Sequence, residues 1–317
     1  MIKKQNSFFF FKIKNFIKNT FPRLLTFYIY IKIFLNLHRK NKEMLINNNL
    51  AKEKYFINSS DLVIGQKILK KGNFEFEKFI KVIKLLKKKV NFILIDIGAN
   101  IGTVCIPAIR RGFFQKCIAI EPDPYNFSLL KKNIKINGLN KNIKIINTAL
   151  GSDDNKRAVF ELSEYNFGDH RVRNENDLLD KNYYLEKQRK TIVVKLTKLD
   201  TVLKKINPKN VFLWIDVQGY EGFVLEGARN TLKHNPPLVI EFWPYALERS
   251  GCTELLKEII IKANYKNCYD LGCNRSLGIM TKKKFDKIQR KYLFQGEFNN
   301  LKHKMLGKQE TDLFFYN

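Results

Sequence analysis

The sequence predicts an α/β fold of Rossmann type, with a mainly parallel sheet covered by helices on both faces. Three observations predict it. Short, uninterrupted apolar runs recur from residue 92 onward, helical patterns separate them, and a glycine-bearing turn joins the first run to the first helix. With 317 residues, 44% of them apolar, the chain can fill the core of one large α/β domain with an appendage, and general disorder is excluded.

The elements follow in order. Phe92, Ile93, Leu94 and Ile95 read as the first buried strand, residues 102–111 as the first helix, and 117–120 as the second strand. A second helix over 124–137 is closed by Gly138, and a third strand covers 143–146. Residues 155–196 break the rhythm, with strands at 158–162 and 191–194 around a polar stretch. A strand at 211–215, a helix near 221–231, a strand at 238–240 and a helix over 253–263 resume it, and strand-like segments at 268–269 and 313–316 end it. Ahead of the sheet, Phe76, Phe79, Val82, Ile83 and Leu86 have helical spacing within 66–90, and Lys87, Lys88 and Lys89 suit the negative end of that helix's dipole. Residues 1–60 form a basic, aromatic extension, expected to be helical, with Phe8-Phe9-Phe10-Phe11 and a greasy run from Leu24 to Ile31. That run is shorter than the roughly 20 apolar residues that span a bilayer. No small-residue cleavage site follows, which disfavours a secretory signal. The extension either lies in a membrane surface or packs on the catalytic domain or a partner subunit. The expected division is thus 1–60 for the extension and 61–317 for the α/β domain, with a cofactor half at 90–150 and an inserted substrate segment at 155–196.

The net charge of +28 invites a nucleic-acid or membrane partner. Of 58 cationic residues, however, only 12 are Arg and 46 are Lys, and Asn, Ile and Phe are also abundant. Phosphate readers lean on Arg for bidentate contacts. The balance therefore reads as the imprint of an A/T-rich coding sequence, and no nucleic-acid partner is expected. Attraction to anionic lipid heads stays open. Five cysteines without a CxxC or zinc-knuckle spacing disfavour a disulfide framework and fit a reducing cytoplasm, with the inner membrane surface as a further location. Four scattered histidines give no HExxH-type site, and no metal is expected.

The segment Asp96-Ile97-Gly98-Ala99-Asn100-Ile101-Gly102 follows the first strand and opens the first helix. Gly98 lets the backbone turn tightly beside a ligand, Gly102 lets the helix start close to the sheet, and Asp96 stands at the strand edge where open α/β sheets bind ligands. This is not the dinucleotide fingerprint. A pyrophosphate needs bare amides at a helix start, and Asp96 would repel it. A carboxylate suits a cationic, phosphate-free ligand such as S-adenosyl-L-methionine. Glu121, at the end of the second strand, can accept both ribose hydroxyls. Asp123 assists it or, the favoured reading, caps the helix that Pro124 opens. Asn147, Thr148, Ala149 and Leu150 either line an adenine pocket or form a plain strand-end turn.

These residues resemble the FkbM-type methyltransferases. The likeness runs through Asp96 to Gly102, Glu121-Pro122-Asp123-Pro124, Asn147-Thr148-Ala149-Leu150-Gly151 and Lys198-Leu199-Asp200. It continues through Ile215-Asp216-Val217-Gln218-Gly219-Tyr220-Glu221, Val224-Leu225-Glu226-Gly227-Ala228 and Val239-Ile240-Glu241-Phe242, and more loosely through Thr311-Asp312-Leu313. It covers residues 90–245 well. The resemblance implies a seven-stranded class I methyltransferase sheet and O-methylation of a hydroxyl on a sugar, glycan or secondary metabolite. Many family members carry Glu where this chain has Gln218.

Methyl transfer to a hydroxyl needs an oriented acceptor and a base for its proton. Asp216, at the end of the fourth strand, is the first candidate, either as base or as the holder of the Gln218-Gly219 turn. Glu241, ending the fifth strand, is a further candidate. His170, in the inserted segment, has a pKa suited to a base, or is a surface histidine without a role. Glu221 begins a helix and can complement its dipole. The lysine-rich surface would suit an anionic, membrane-proximal glycan or lipid-linked sugar. Two other readings stand beside this one: a nicotinamide-dependent oxidoreductase, opposed by the glycine spacing and Asp96, and a non-catalytic membrane-surface or nucleic-acid-binding protein, opposed by the ordered cofactor loop.

Overall fold

The computed structural model describes residues 43–47, 52–86, 92–174, 186–293 and 310–317. Its centre is β3 (Ile93–Ile97), whose side chains are apolar on both faces apart from Asp96. Parallel to it lie β4 (Lys116–Ile120) and β5 (Ile143–Ile146) on one side and β10 (Val211–Ile215) and β11 (Leu238–Phe242) on the other. The antiparallel β14 (Thr311–Tyr316) pairs with β11 and is followed by β12 (Asn267–Asp270) and the two-residue β13 (Arg275–Ser276), in the order β13-β12-β14-β11-β10-β3-β4-β5. The expected seven-stranded sheet thus has eight strands among the described residues, because β13 folds back along β12.

Strand order reverses between β3 and β10. The loops leaving their carboxyl ends run in opposite directions and open a crevice there. The alternation of side chains splits the core in two. Ile95, Ile97, Leu213 and Ile215 face one layer, which includes a second sheet of β6 (Ala149–Leu150), β7 (Lys156–Leu162), β8 (Arg171–Arg173) and β9 (Lys190–Thr197). Leu94, Phe212 and Trp214 face the other, against Phe79, Ile106 and Leu130.

The helices largely follow their sequence patterns. Pro124–Ile136 is capped by Asp123, whose side chain accepts the Asn126 N–H, as the favoured reading has it. The expected single helix over 66–90 is two, Ile64–Lys71 and Phe76–Leu86, and Lys87, Lys88 and Lys89 lie outside the described residues. Gly72, at φ 77°, ends the first with its N–H bonded to Ile68 O, because only glycine enters the left-handed region without a Cβ penalty. Gly227, where a Cβ would stand 2.0 Å from the Gly151 carbonyl oxygen, divides 221–231 into Glu221–Glu226 and Arg229–Leu232.

The helical extension needs correction over its described part. Glu43–Ile46 (β1) and Tyr55–Asn58 (β2) form an antiparallel hairpin, and Tyr55 and Ile57 are buried. Asn133 binds both the N–H and the C=O of Phe56, and Asn137 does the same for Lys54, so the helix Pro124–Ile136 and its C-cap hold the hairpin, a separate two-stranded sheet. The boundary at residue 60 therefore falls within one packed body. The Phe8 to Phe11 and Leu24 to Ile31 segments lie outside the described residues. Among the described residues no helix is long and apolar enough to cross a membrane.

Candidate active site

The crevice at the strand reversal is lined by Asp96, Gly98 and Asn100 from the β3 turn, Glu121 from β4, Thr148, Ala149 and Leu150 beyond β5, and Asp216, Gln218 and Glu241 from β10 and β11. The structure thus brings together nearly all of the residues the sequence singled out. Gly102 lies one turn further along the loop at φ 94°, beside Ile106 and Leu130.

The glycine-turn side of the crevice is built around two buried carboxyls. Asp96 Oδ2 accepts the Cys105 N–H at 3.1 Å and so caps the helix Cys105–Arg110. Burial, opposed by the bonds from Cys105, pushes its pKa up to about 6. Glu121 Oε2 accepts the Asn100 N–H and Oε1 the Asp123 N–H, both at 2.8 Å, and burial pushes this carboxyl up to about 8. When ionised, each oxygen retains a second lone pair for a ligand hydroxyl. A Cβ on Gly98, at φ 82°, would stand 1.8 Å from the Asp216 carbonyl oxygen, so glycine is obligatory where the β3 and β10 loops touch. Thr148 turns its hydroxyl away to Lys195 O at 2.9 Å, tying the crevice rim to β9.

The inserted segment folds over this turn. Phe167 O accepts from Asn100 Nδ2 at 2.7 Å and from Asn126 Nδ2 at 3.0 Å, and Phe167, Gly168 and His170 join the lining. His170 Nδ1 accepts the Ser163 N–H at 2.9 Å, which puts the proton of the neutral ring on Nε2, 3.9 Å from Asp123 Oδ2. Burial pushes its pKa down to about 4. A neutral imidazole whose basic nitrogen is already engaged donates rather than accepts. With Nδ1 engaged, the geometry disfavours the general-base role expected of His170 and leaves Nε2 as a donor, and the side chain is buried rather than on the surface.

At the ends of β10 and β11, the Gln218 amide nitrogen donates to Asp216 Oδ1 at 2.8 Å and to Glu241 Oε2 at 2.7 Å, joining two carboxyls through one group. Burial pushes Asp216 up to about 7 despite the Gln218 bond, and burial together with Asp216 raises Glu241 well above the ordinary carboxylate range. The backbone turn itself is held by Glu221, whose Oε1 accepts from the Val217 and Gly219 N–H groups, so the turn-holding task considered for Asp216 belongs to Glu221.

Sequence reasoning missed Lys67 and Lys78 from the paired helices, Phe74 and Glu75 from the connection between them, and Glu310 and Asp312 at the start of β14, all of which line the crevice. Lysines on amphipathic helices, and a glutamate in the turn between them, read as a solvated face. Only the loose likeness at Asp312 pointed here. Among the described residues no cluster suited to a metal occurs.

Residues 96–266 match the model of the Methyltransferase FkbM domain, just over half the chain. Among solved structures, the FkbM methyltransferase of Methylobacillus flagellatus is similar at 18% identity and a TM-score of 0.41, over 72% of this chain and 44% of its own. The chain thus spans less than half of that protein's length. A putative transferase of Pyrococcus horikoshii aligns at 14% identity and TM-score 0.36, over 87% of this chain and 73% of its own. The M. jannaschii TYW2 in complex with AdoMet aligns at 16% and 0.35, over 72% and 78%. No curated protein matches the sequence.

Proposed function

The chain belongs to the FkbM methyltransferase family, and from that premise we propose that it transfers the methyl group of S-adenosyl-L-methionine to a hydroxyl of a sugar, glycan or secondary metabolite. The observation that carries the reading is the pairing, in one crevice, of a carboxyl-rimmed glycine turn with the Asp216–Gln218–Glu241 bridge. The donor side fits the cofactor's chemistry. Around the glycine turn the polar groups are carboxyls and amides, and the crevice's lysines, Lys67 and Lys78, are paired with Glu75 and Asp312, which suits a cationic nucleoside and opposes the phosphates of a nicotinamide dinucleotide.

Asp96, Gly98, Asn100 and Glu121 would hold the cofactor, with Ala149, Leu150 and the backbone of Thr148 beside its base and Gly102 supporting the turn. When bound, the cofactor supplies a methyl carbon made electrophilic by positively charged sulfur. Asp216 would take the proton of the acceptor's hydroxyl, leaving its oxygen free to accept the methyl group. A pKa near neutrality suits that task, since the base must be free of its proton yet still bind one. Glu241, bonded to the Gln218 amide, orients the acceptor together with it. His170 donates from Nε2 at the rim. The test is turnover on extracts rich in surface glycans, with mass detection of a methyl gain. Heat on titration with S-adenosylmethionine but no gain on any hydroxyl would refute the acceptor class. No heat would refute the donor site.

A further inference from the structure

Taking the acceptor to be a sugar, as above, we propose that Lys67, Glu75, Lys78 and Asp312 form the acceptor-facing wall of the cleft and select an uncharged ring over one bearing a carboxylate. All four line the same cleft as the glycine turn, yet none lies within the 96–266 segment that matches the family domain. The donor residues all fall inside that segment, so donor binding and acceptor choice are built from different parts of the chain.

The electrostatics of the wall decide the selection. Lys67 and Lys78 are the cleft's lysines, no arginine lines it among the described residues, and both lysines are already held. Lys78 Nζ stands 2.6 Å from Glu75 Oε2 and 2.6 Å from Asp312 Oδ2. Lys67 Nζ is 3.0 Å from Glu75 Oε1 and 4.5 Å from the Phe74 ring centroid. Asp216, Glu241 and Glu310 add carboxyls nearby. An acidic acceptor would meet like charge without an uncommitted cation to pair with. A neutral sugar's hydroxyls, each both donor and acceptor, find both kinds of partner along a Lys–Glu–Lys–Asp chain. The cleft therefore carries the opposite sign to the lysine-rich exterior, and the anionic acceptor that the exterior suggests gives way to an uncharged one.

The backbone marks the same place. Among the described non-glycine residues with left-handed φ, all are Asn except Glu75, at 51°, and Gln218, at 57°. Asn tolerates that conformation. Longer side chains are held there only by their surroundings, and such strain gathers at binding sites. Both exceptions line this cleft.

The test compares, with the full-length protein, methylation of the methyl glycosides of glucose, galactose and mannose with that of their uronic acids. Methyl gain is read by mass, and S-adenosylhomocysteine affinity by calorimetry. The expectation is a kcat/KM at least about 30-fold higher on uncharged rings. Glu75→Gln, which removes the charge shared by both lysines, should narrow that preference about tenfold with S-adenosylhomocysteine affinity unchanged. Glu75→Gly, which also relieves the left-handed backbone, should act alike and decides the matter if the Gln variant fails to fold. Preference for the acids, a ratio unmoved in the folded variant, or no ring methylated while S-adenosylhomocysteine binds would each overturn the proposal. Failure of the wild type to bind S-adenosylhomocysteine would instead overturn the donor reading beneath it.

Discussion

Replacing Asp216 with Asn tests the base and the burial that tunes it in one variant. The wild-type carboxyl is pushed from 3.8 to about 7 by desolvation, so it is ionised to roughly a tenth at pH 6 and nine-tenths at pH 8. Turnover in the wild type should therefore climb about tenfold per pH unit below 7 and flatten above. Asn keeps the shape and can still accept the Gln218 amide but takes no proton, so turnover should fall by about 10² to 10⁴ at every pH, with S-adenosylhomocysteine affinity unchanged. Stability should move the other way. A carboxyl whose pKa is raised on folding costs nothing below pH 3.8, where both states are protonated. The cost grows as pH rises to about 7 and is complete above it. At about 1.4 kcal/mol per tenfold, the ceiling at pH 8 is about 4 kcal/mol, and a realised gain of about 2 for Asn would lift Tm by a few degrees. Calorimetric melts at pH 5 and pH 8, beside initial rates across pH 5.5–8.5, would measure both. A flat rate profile with near-normal turnover in the Asn variant would end the base assignment. A melt lowered at pH 8 would end the argument from burial.

Three further outcomes follow from the donor side. Glu121→Ala should weaken S-adenosylmethionine binding about 100-fold, since it removes charge-assisted bonds to the ligand and the anchor of the Asn100 amide, and an unchanged Kd would remove Glu121 from the pocket. Because Asp96, Glu121 and Asp216 sit at about 6, 8 and 7, a bound cation should lower their pKa values and release protons near pH 7, seen as a binding enthalpy that varies with buffer ionisation heat; buffer-independent heat would contradict this. His170→Ala should leave S-adenosylhomocysteine affinity intact and lower turnover by about tenfold or less through loss of the Ser163 anchor, without changing the shape of the pH profile; loss of a titrating limb would restore His170 as the base.

Most of the fold was legible because its central strands are buried on both faces, where a run such as Val211–Ile215 admits only apolar residues. The donor turn was legible for a related reason. Gly98 stands where no Cβ fits, and an acid at the end of a parallel strand has few structural tasks. The hairpin Glu43–Asn58 was hidden because its partner is a pair of asparagines on a helix, 77 to 83 residues away in sequence. The helix Lys282–Tyr292 buries only Phe285, Ile288 and Tyr292, and its lysines resemble the background of the whole chain. His170 was legible as a residue but not as a chemistry, because its tautomer is set by a backbone amide that only the folded chain supplies.

The charge of the chain and the charge of its cleft must be reasoned about separately. Lysines dominate the composition, yet the cleft gathers carboxyls whose burial holds them partly protonated at neutral pH. A cleft in that state carries only part of the negative charge its carboxyls could hold, which limits the cost of keeping it folded. A cation arriving at Asp96 and Glu121 favours the ionised forms around it, and Asp216, already near 7, is the carboxyl with the smallest distance to travel at neutral pH. Loading the donor would then prepare the base, while the paired lysines of Lys78–Asp312 and Lys67–Glu75 keep the acceptor wall neutral. If proton release on donor binding survives Glu121→Ala but disappears in Asp216→Asn, that coupling runs through the base itself. If the reverse holds, the two ends of the cleft titrate independently.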